Sequence, residues 1–163
     1  MSKTLVLITD DDEDDRHYLK QAIDRHLKKA TVCEAQNGEE AIKCLNEEAI
    51  KANFSLVLLD INMPGMDGFE VLKAIRASKT LSSIPTVILS TTGNPDQVKK
   101  AYQLGANAYI QKPHSFDRSE ERFSRNAETE PCVSYAVFCL KKAWMSVTRL
   151  DRKSGSAGMP RPY

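Results

Sequence analysis

Cysteine, tryptophan and long hydrophobic runs are all scarce in this chain, and each shortage removes a class of protein. The four cysteines, Cys33, Cys44, Cys132 and Cys139, form no CxxC pair and lie far apart. Neither a disulfide framework nor a zinc site is expected, and the thiols read as reduced. The longest clean apolar runs, residues 5–8 and 56–59, fall far short of the roughly 20 residues a membrane helix needs. No bilayer span and no membrane partner are therefore expected. The first residues, Met1-Ser2-Lys3-Thr4, lack the apolar stretch and small-residue cleavage site of a secretory signal, which predicts a cytoplasmic location. Neither sign of charge is in excess: 23 Lys and Arg face 22 Asp and Glu, for a formal net charge of +1. That balance supplies no basic field to recruit nucleic acid and no acidic excess to enforce disorder. What remains is a chain of 163 residues, 41% hydrophobic, with 7 Gly and 7 Pro, suited to one domain of ordinary size.

Up to residue 113, short apolar runs alternate with longer segments of helical period, the pattern of a parallel α/β domain with helices on both faces. Strands are predicted at residues 4–9, 31–35, 55–59, 86–90 and 108–111, all read as buried on both faces. The first helix should start near Glu13 and run to about Lys29, with Leu19, Ala22, Ile23, His26 and Leu27 on one face. The acids from Asp12 to Asp15 suit its positive N-terminal end. Asn37-Gly38 opens a second helix, with Ala41, Ile42, Leu45 and Ala49 facing inward. Asp67 or Gly68 opens a third, with Val71, Leu72 and Ile75 inward. Asn94-Pro95 starts a fourth, which Leu104-Gly105 closes with a glycine cap. From His114 onward the character changes. Residues 118–130 are polar, and residues 154–163 are rich in Gly, Ser and Pro. Between them Val133, Ala136, Val137, Leu140, Ala143, Trp144 and Val147 recur at helical spacing. A first unit at 1–117 and an atypical tail at 118–163 are the expected division, with a displaced amphipathic helix at 132–148.

Asp10 and Asp11 follow the first strand and Asp60 follows the third. In an open parallel sheet such carboxyl ends converge in one crevice, where the connections leave in opposite directions. Close carboxylates cannot all stay ionised cheaply unless a cation such as Mg²⁺ or an ammonium shares the site. Lys112, at the end of the fifth strand, offers the ammonium, and Ser90, ending the fourth, adds a hydroxyl. The run Asp10-Asp11-Asp12 leaves one ambiguity of register. A strand one residue longer would make Asp11 and Asp12 the metal pair, although Asp10 and Asp11 directly follow residues 5–9 and are preferred.

The segments Leu7-Ile8-Thr9-Asp10-Asp11, Leu58-Leu59-Asp60-Ile61-Asn62-Met63-Pro64-Gly65-Met66-Asp67-Gly68, Ile88-Leu89-Ser90 and Tyr109-Ile110-Gln111-Lys112-Pro113 together resemble the receiver domain of two-component response regulators. Ser90 and Lys112 stand 30 and 52 residues after Asp60, separations similar to those of the family. The resemblance covers residues 4–117. It implies a flavodoxin-like, doubly wound, five-stranded parallel sheet of order 2-1-3-4-5. It further implies a stand-alone phosphorelay regulator in which Asp60 takes a phosphoryl group from a histidine kinase, with Lys112 neutralising charge. Mg²⁺ would be held by Asp10, Asp11, Asp60 and the backbone carbonyl of Asn62. Ser90 and Tyr109 would form the switch that reports phosphorylation. The acid-rich stretch after Thr9 and the segment from Lys112 to Phe116 are similar to small regulators paired with phytochrome-type sensor kinases. A downstream protein and a homodimer are further partners the resemblance admits. The competing readings are a receiver-like binding module that is never phosphorylated, a flavin binder and a Mg²⁺-dependent phosphohydrolase. The flavin binder lacks a phosphate-cradling loop after the first strand. The hydrolase would normally carry an acid where Asn62 stands.

Overall fold

The computed structural model describes residues 4–27, 29–48 and 54–112. Its elements run β1 (Thr4–Thr9), α1 (Glu13–His26), β2 (Ala30–Ala35), α2 (Gly38–Glu48), β3 (Phe54–Asp60), α3 (Gly68–Ala77), β4 (Thr86–Ser90), α4 (Pro95–Gln103) and β5 (Ala108–Gln111). The five strands are all parallel, in the order β2-β1-β3-β4-β5. This is the expected doubly wound sheet, and it puts the change of winding direction between β1 and β3.

The alternation of strand side chains divides the core in two. Leu5, Leu7, Val57, Leu59 and Ile88 pack on one face with Ala41 and Leu45 of α2, Val71, Leu72 and Ile75 of α3, and Ala101 of α4. Val6, Ile8, Leu56, Leu58, Val87 and Leu89 pack on the other with Leu19, Ala22 and Ile23 of α1. Central strands buried on both sides in this way read as unbroken apolar runs. β2 departs from the expectation: Thr31, Val32 and Cys33 are half-buried and Glu34 is exposed. Among the described residues it pairs only with β1, which leaves its other flank as an edge.

The helices start where the sequence places them. The Asp12 side chain accepts from the Asp14 and Asp15 amides at the start of α1, α3 opens on a capping box between Asp67 and Glu70, and Pro95 follows the Asn94 cap of α4. Gly105 takes φ +96° after α4, a conformation that favours glycine. α1 stops at His26, three residues before the expected end, because the chain must already turn to enter β2. Leu27 becomes the C-cap and is 38% exposed instead of facing inward. Ala49 of the expected second-helix face, Pro113, the tail at 118–163 and the expected helix at 132–148 lie outside the described residues.

Arg76 ties α3 to the two loops that lead into β4 and β5. Its Nε donates to the Gly105 carbonyl at 2.9 Å, and Nη1 donates to the Ser82 and Ile84 carbonyls at 3.1 and 2.9 Å. Nη2 donates to Asn107 Oδ1 at 2.9 Å, an atom that also accepts from the Thr86 amide. Burial lowers the pKa of Arg76, and among the described residues its partners are carbonyl and amide oxygens, so the rigid fork of donors is its contribution. Arg76→Ala should cost roughly 2 to 4 kcal/mol, and Arg76→Lys should recover less than half of it. Urea midpoints at unchanged slope check this; an alanine variant within about 0.5 kcal/mol of wild type would refute the strut.

Candidate functional site

The register of the sheet assembles the site. Thr9 of β1 pairs with Leu59 of β3, so Asp10 and Asp60, the next residues, emerge side by side at the carboxyl edge. Asp10 is fully buried and Asp60 nearly so, whereas Asp11 is exposed. One carboxylate oxygen from each of Asp10, Asp11 and Asp60 lies within 4.8 Å of the others. Asp12 is not part of this group: as the cap of α1 it accepts the Asp14 and Asp15 amides at 2.9 and 3.3 Å. β1 ends at Thr9, so the acids that follow the strand directly are Asp10 and Asp11.

Lys112 leaves β5 with its amide donating to the Ser90 carbonyl at 2.6 Å. Its buried ammonium donates to Asp10 Oδ2 at 2.6 Å and to Asp15 Oδ2 at 2.7 Å, and Asp60 Oδ2 lies at 3.4 Å. The remaining oxygens of the two buried acids are held by the backbone. Asp10 Oδ1 accepts from the Asp12 amide at 3.0 Å, and Asp60 Oδ1 accepts from the Asn62 amide at 3.2 Å. Arg16 Nη1 donates to the Asp10 carbonyl at 2.7 Å and fixes the turn out of β1.

The electrostatics follow from burial and from a surplus of acid. Burial and then the neighbouring Asp10 charge push the Asp60 carboxyl up to about 7, against the opposing pull of Lys112. Asp10 is also raised, by burial first, with Lys112 opposing. Burial disfavours the Lys112 ammonium, but the carboxylates of Asp10 and Asp60 outweigh it and its pKa is raised. One ammonium thus serves several acids, and an oxygen-only set of carboxylates suits a hard divalent cation such as Mg²⁺.

A second connection runs along β4 and β5. Ser90 is buried, and its Oγ accepts from the Thr92 amide at 3.2 Å. The Tyr109 hydroxyl donates to the Thr92 carbonyl at 2.7 Å, while its half-buried ring packs against the core on the α3 side. Ser90 and Tyr109 are therefore joined through one residue of the loop after β4. Asp15 and Arg16 escaped the sequence reading, which took Asp15 only as favourable charge at a helix start. Helical side chains tilt toward the N-terminus, so an acid in the first turn of α1 leans back over the crevice, and that tilt was the available signal.

Residues 6–124 match the family model of the response regulator receiver domain. The chain belongs to that family. The match runs past residue 117, where the resemblance read from the sequence ends. The chemotaxis protein CheY of Pseudomonas aeruginosa is 32% identical over 120 residues, which cover 74% of this chain and 93% of that protein. The phosphorylated cyanobacterial phytochrome response regulator RcpA superposes with a TM-score of 0.66 at 25% identity, covering 98% of this chain and 100% of that chain. A chain of the Borrelia burgdorferi CheX–CheY–BeF3–Mg²⁺ complex gives a TM-score of 0.61 at 30% identity, over 68% of this chain and 78% of that chain. The receiver is a component of two-component signalling, and its acidic cluster is of the kind with which the family binds Mg²⁺. No helix among the described residues is long and apolar enough to cross a membrane.

Proposed function

We propose that this receiver accepts a phosphoryl group on Asp60 from the phosphohistidine of a sensor kinase. The observation that carries the reading is the buried Asp60 carboxylate with the Lys112 ammonium 3.4 Å away and two further acids within 4.8 Å. An Asp60 carboxylate oxygen forms the new P–O bond as the P–N bond of the donor breaks. The electron pair returns to the imidazole nitrogen, and the product is an aspartyl phosphate. Negative charge spreads over the equatorial phosphoryl oxygens in transit, so positioning and neutralisation make up most of the catalysis. Lys112 supplies one positive charge there. Mg²⁺, held by Asp10, Asp11, Asp60 and the Asn62 carbonyl, would supply the rest of the neutralisation. Two facts support that assignment: the excess of carboxylate over ammonium in this crevice, and the Mg²⁺ and BeF3 in the Borrelia complex.

The new phosphoryl oxygens are strong acceptors. Ser90 turns its hydroxyl toward them and gives up the Thr92 amide, and Tyr109 moves with the Thr92 carbonyl it holds. That links the reaction to the face formed by α4 and β5, where a downstream protein or a second copy of the receiver docks. The likeness to RcpA over nearly the whole chain supports a phytochrome-type sensor as the phosphodonor. Residues 1–117 form the receiver unit in this reading and residues 118–163 its extension.

Intact-protein mass spectrometry after incubation with acetyl phosphate and Mg²⁺ tests the proposal. Wild type should gain one phosphoryl group, about 80 Da. Asp60→Asn should gain none, nor should wild type in EDTA. A folded, Mg²⁺-supplied wild type that stays unmodified would mean a receiver that binds partners without phosphorylation.

A further inference from the structure

The Lys112 ammonium has three N–H donors, and the way they are shared is uneven. Asp10 Oδ2 takes one at 2.6 Å and Asp15 Oδ2 another at 2.7 Å, while the Asp60 oxygen stands back at 3.4 Å. Asp15 comes from the first turn of α1, 97 residues away in sequence, and its side chain is only 14% exposed. It does not belong to the three-carboxylate group of Asp10, Asp11 and Asp60. The helix does not need it as a cap either, since Asp12 fills that place and Glu13 and Asp14 already bring acid to the first turn. An ammonium with Asp10 and Asp60 as its only partners would settle between them, against the oxygen that must attack phosphorus.

We propose that Asp15 is a positioning residue for phosphoryl transfer. It occupies the second donor of Lys112, keeps the ammonium off the attacking oxygen of Asp60 and leaves the third N–H for an oxygen of the arriving phosphoryl group. This rests on Asp60 being the phosphoacceptor, and on its forming the P–O bond as the donor's own bond to phosphorus breaks.

The test compares initial rates of phosphorylation by acetyl phosphate at saturating Mg²⁺ for the full-length wild type, Asp15→Ala, Asp15→Asn and Asp60→Asn. Melting temperatures of all four confirm that they are folded. Asp15→Ala should slow the reaction about tenfold, in keeping with the cost of misplacing one group in a reacting constellation. Asp15→Asn keeps an oxygen acceptor at the same place and should stay within about threefold of wild type. A residue of merely structural importance would move the melting temperature and leave that split absent. A rate for Asp15→Ala within twofold of wild type overturns the proposal, as does a loss in Asp15→Asn as large as in Asp15→Ala. In both cases wild type is still phosphorylated and Asp60→Asn is not. A wild type that gains no phosphoryl group, or an Asp60→Asn variant that gains as much as wild type, takes down the phosphoacceptor assignment and this proposal with it.

Discussion

Gly68→Ala should cripple the receiver more than any other single-methyl change at its glycines. A Cβ at Gly68 would press on the backbone carbonyl of Asp60 and come within 2.8 Å of Ile61 Cα and 2.9 Å of the Asp60 carbonyl carbon. These are main-chain atoms, and none can swing aside. They are also anchored: the Gly68 amide donates to the Ile61 carbonyl at 3.1 Å, and the Ile61 amide donates to the Leu89 carbonyl at 3.2 Å. Relief requires either lifting the first turn of α3, which is pinned by the Asp67 and Glu70 capping box, or pulling back the end of β3 that carries Asp60. The first route costs stability and the second costs the site. We expect a loss of about 3 kcal/mol or more, and phosphorylation slowed more than tenfold at a temperature where the variant is still folded. Gly93→Ala is the control for stability. Its nearest neighbour is the far end of the Gln111 side chain at 2.6 Å, which can rotate away, so it should cost less than about 1 kcal/mol. Equal urea midpoints for the two variants would show that the approach of α3 to β3 is looser than the structure has it.

The parallel sheet explains why so much of the site was legible in the sequence and where legibility ended. Asp10, Asp60, Ser90 and Lys112 sit at the carboxyl ends of parallel strands, and the period of the apolar runs already indicates where each strand stops. Once the order of the sheet is known, the register carries those side chains into one crevice without any further information. Turn chemistry did the same for the helix starts at Asp12, Asp67 and Asn94. Contacts that depend on how a helix lies on the sheet were not legible. Asp15 meets Lys112 across 97 residues, and Arg76 meets Asn107 across 31. Asp15 had an adequate local reading as a helix-start acid, and nothing in the sequence singled out Arg76. The end of α1 was misjudged for a related reason. Leu27 continues the apolar period of the helix, but the distance to β2 decides where the chain must turn.

Lys112→Met should make the stability of the metal-free receiver far more dependent on pH. Asp60 is raised from 3.8 to about 7, chiefly by burial. A carboxyl whose pKa is higher in the folded state stabilises the fold while protonated. Its contribution is complete below pH 3.8 and is lost as the pH rises through about 7. Asp10, also raised, acts in the same direction. Lys112 has the opposite character: its pKa is raised, so its contribution is present below the ordinary lysine value of 10.5 and persists through the whole neutral range. In wild type the ammonium therefore limits what the ionising acids cost. Methionine keeps much of the volume and removes the charge, and the carboxyl groups of Asp10 and Asp60 then rise further. The variant should lie within about 1 to 2 kcal/mol of wild type at pH 5, where its acids can hold protons, and about 3 to 5 kcal/mol below it at pH 8, where a buried charge is left without its partner. Adding Mg²⁺ at pH 8 should close much of that gap by binding only the folded state, without restoring the phosphorylation rate that depends on the ammonium. Thermal and urea unfolding at the two pH values, with EDTA or Mg²⁺, give the comparison. A deficit of the same size at pH 5 and pH 8 would mean that Lys112 holds the crevice through packing of its stem, and that the acids around it titrate without regard to its charge.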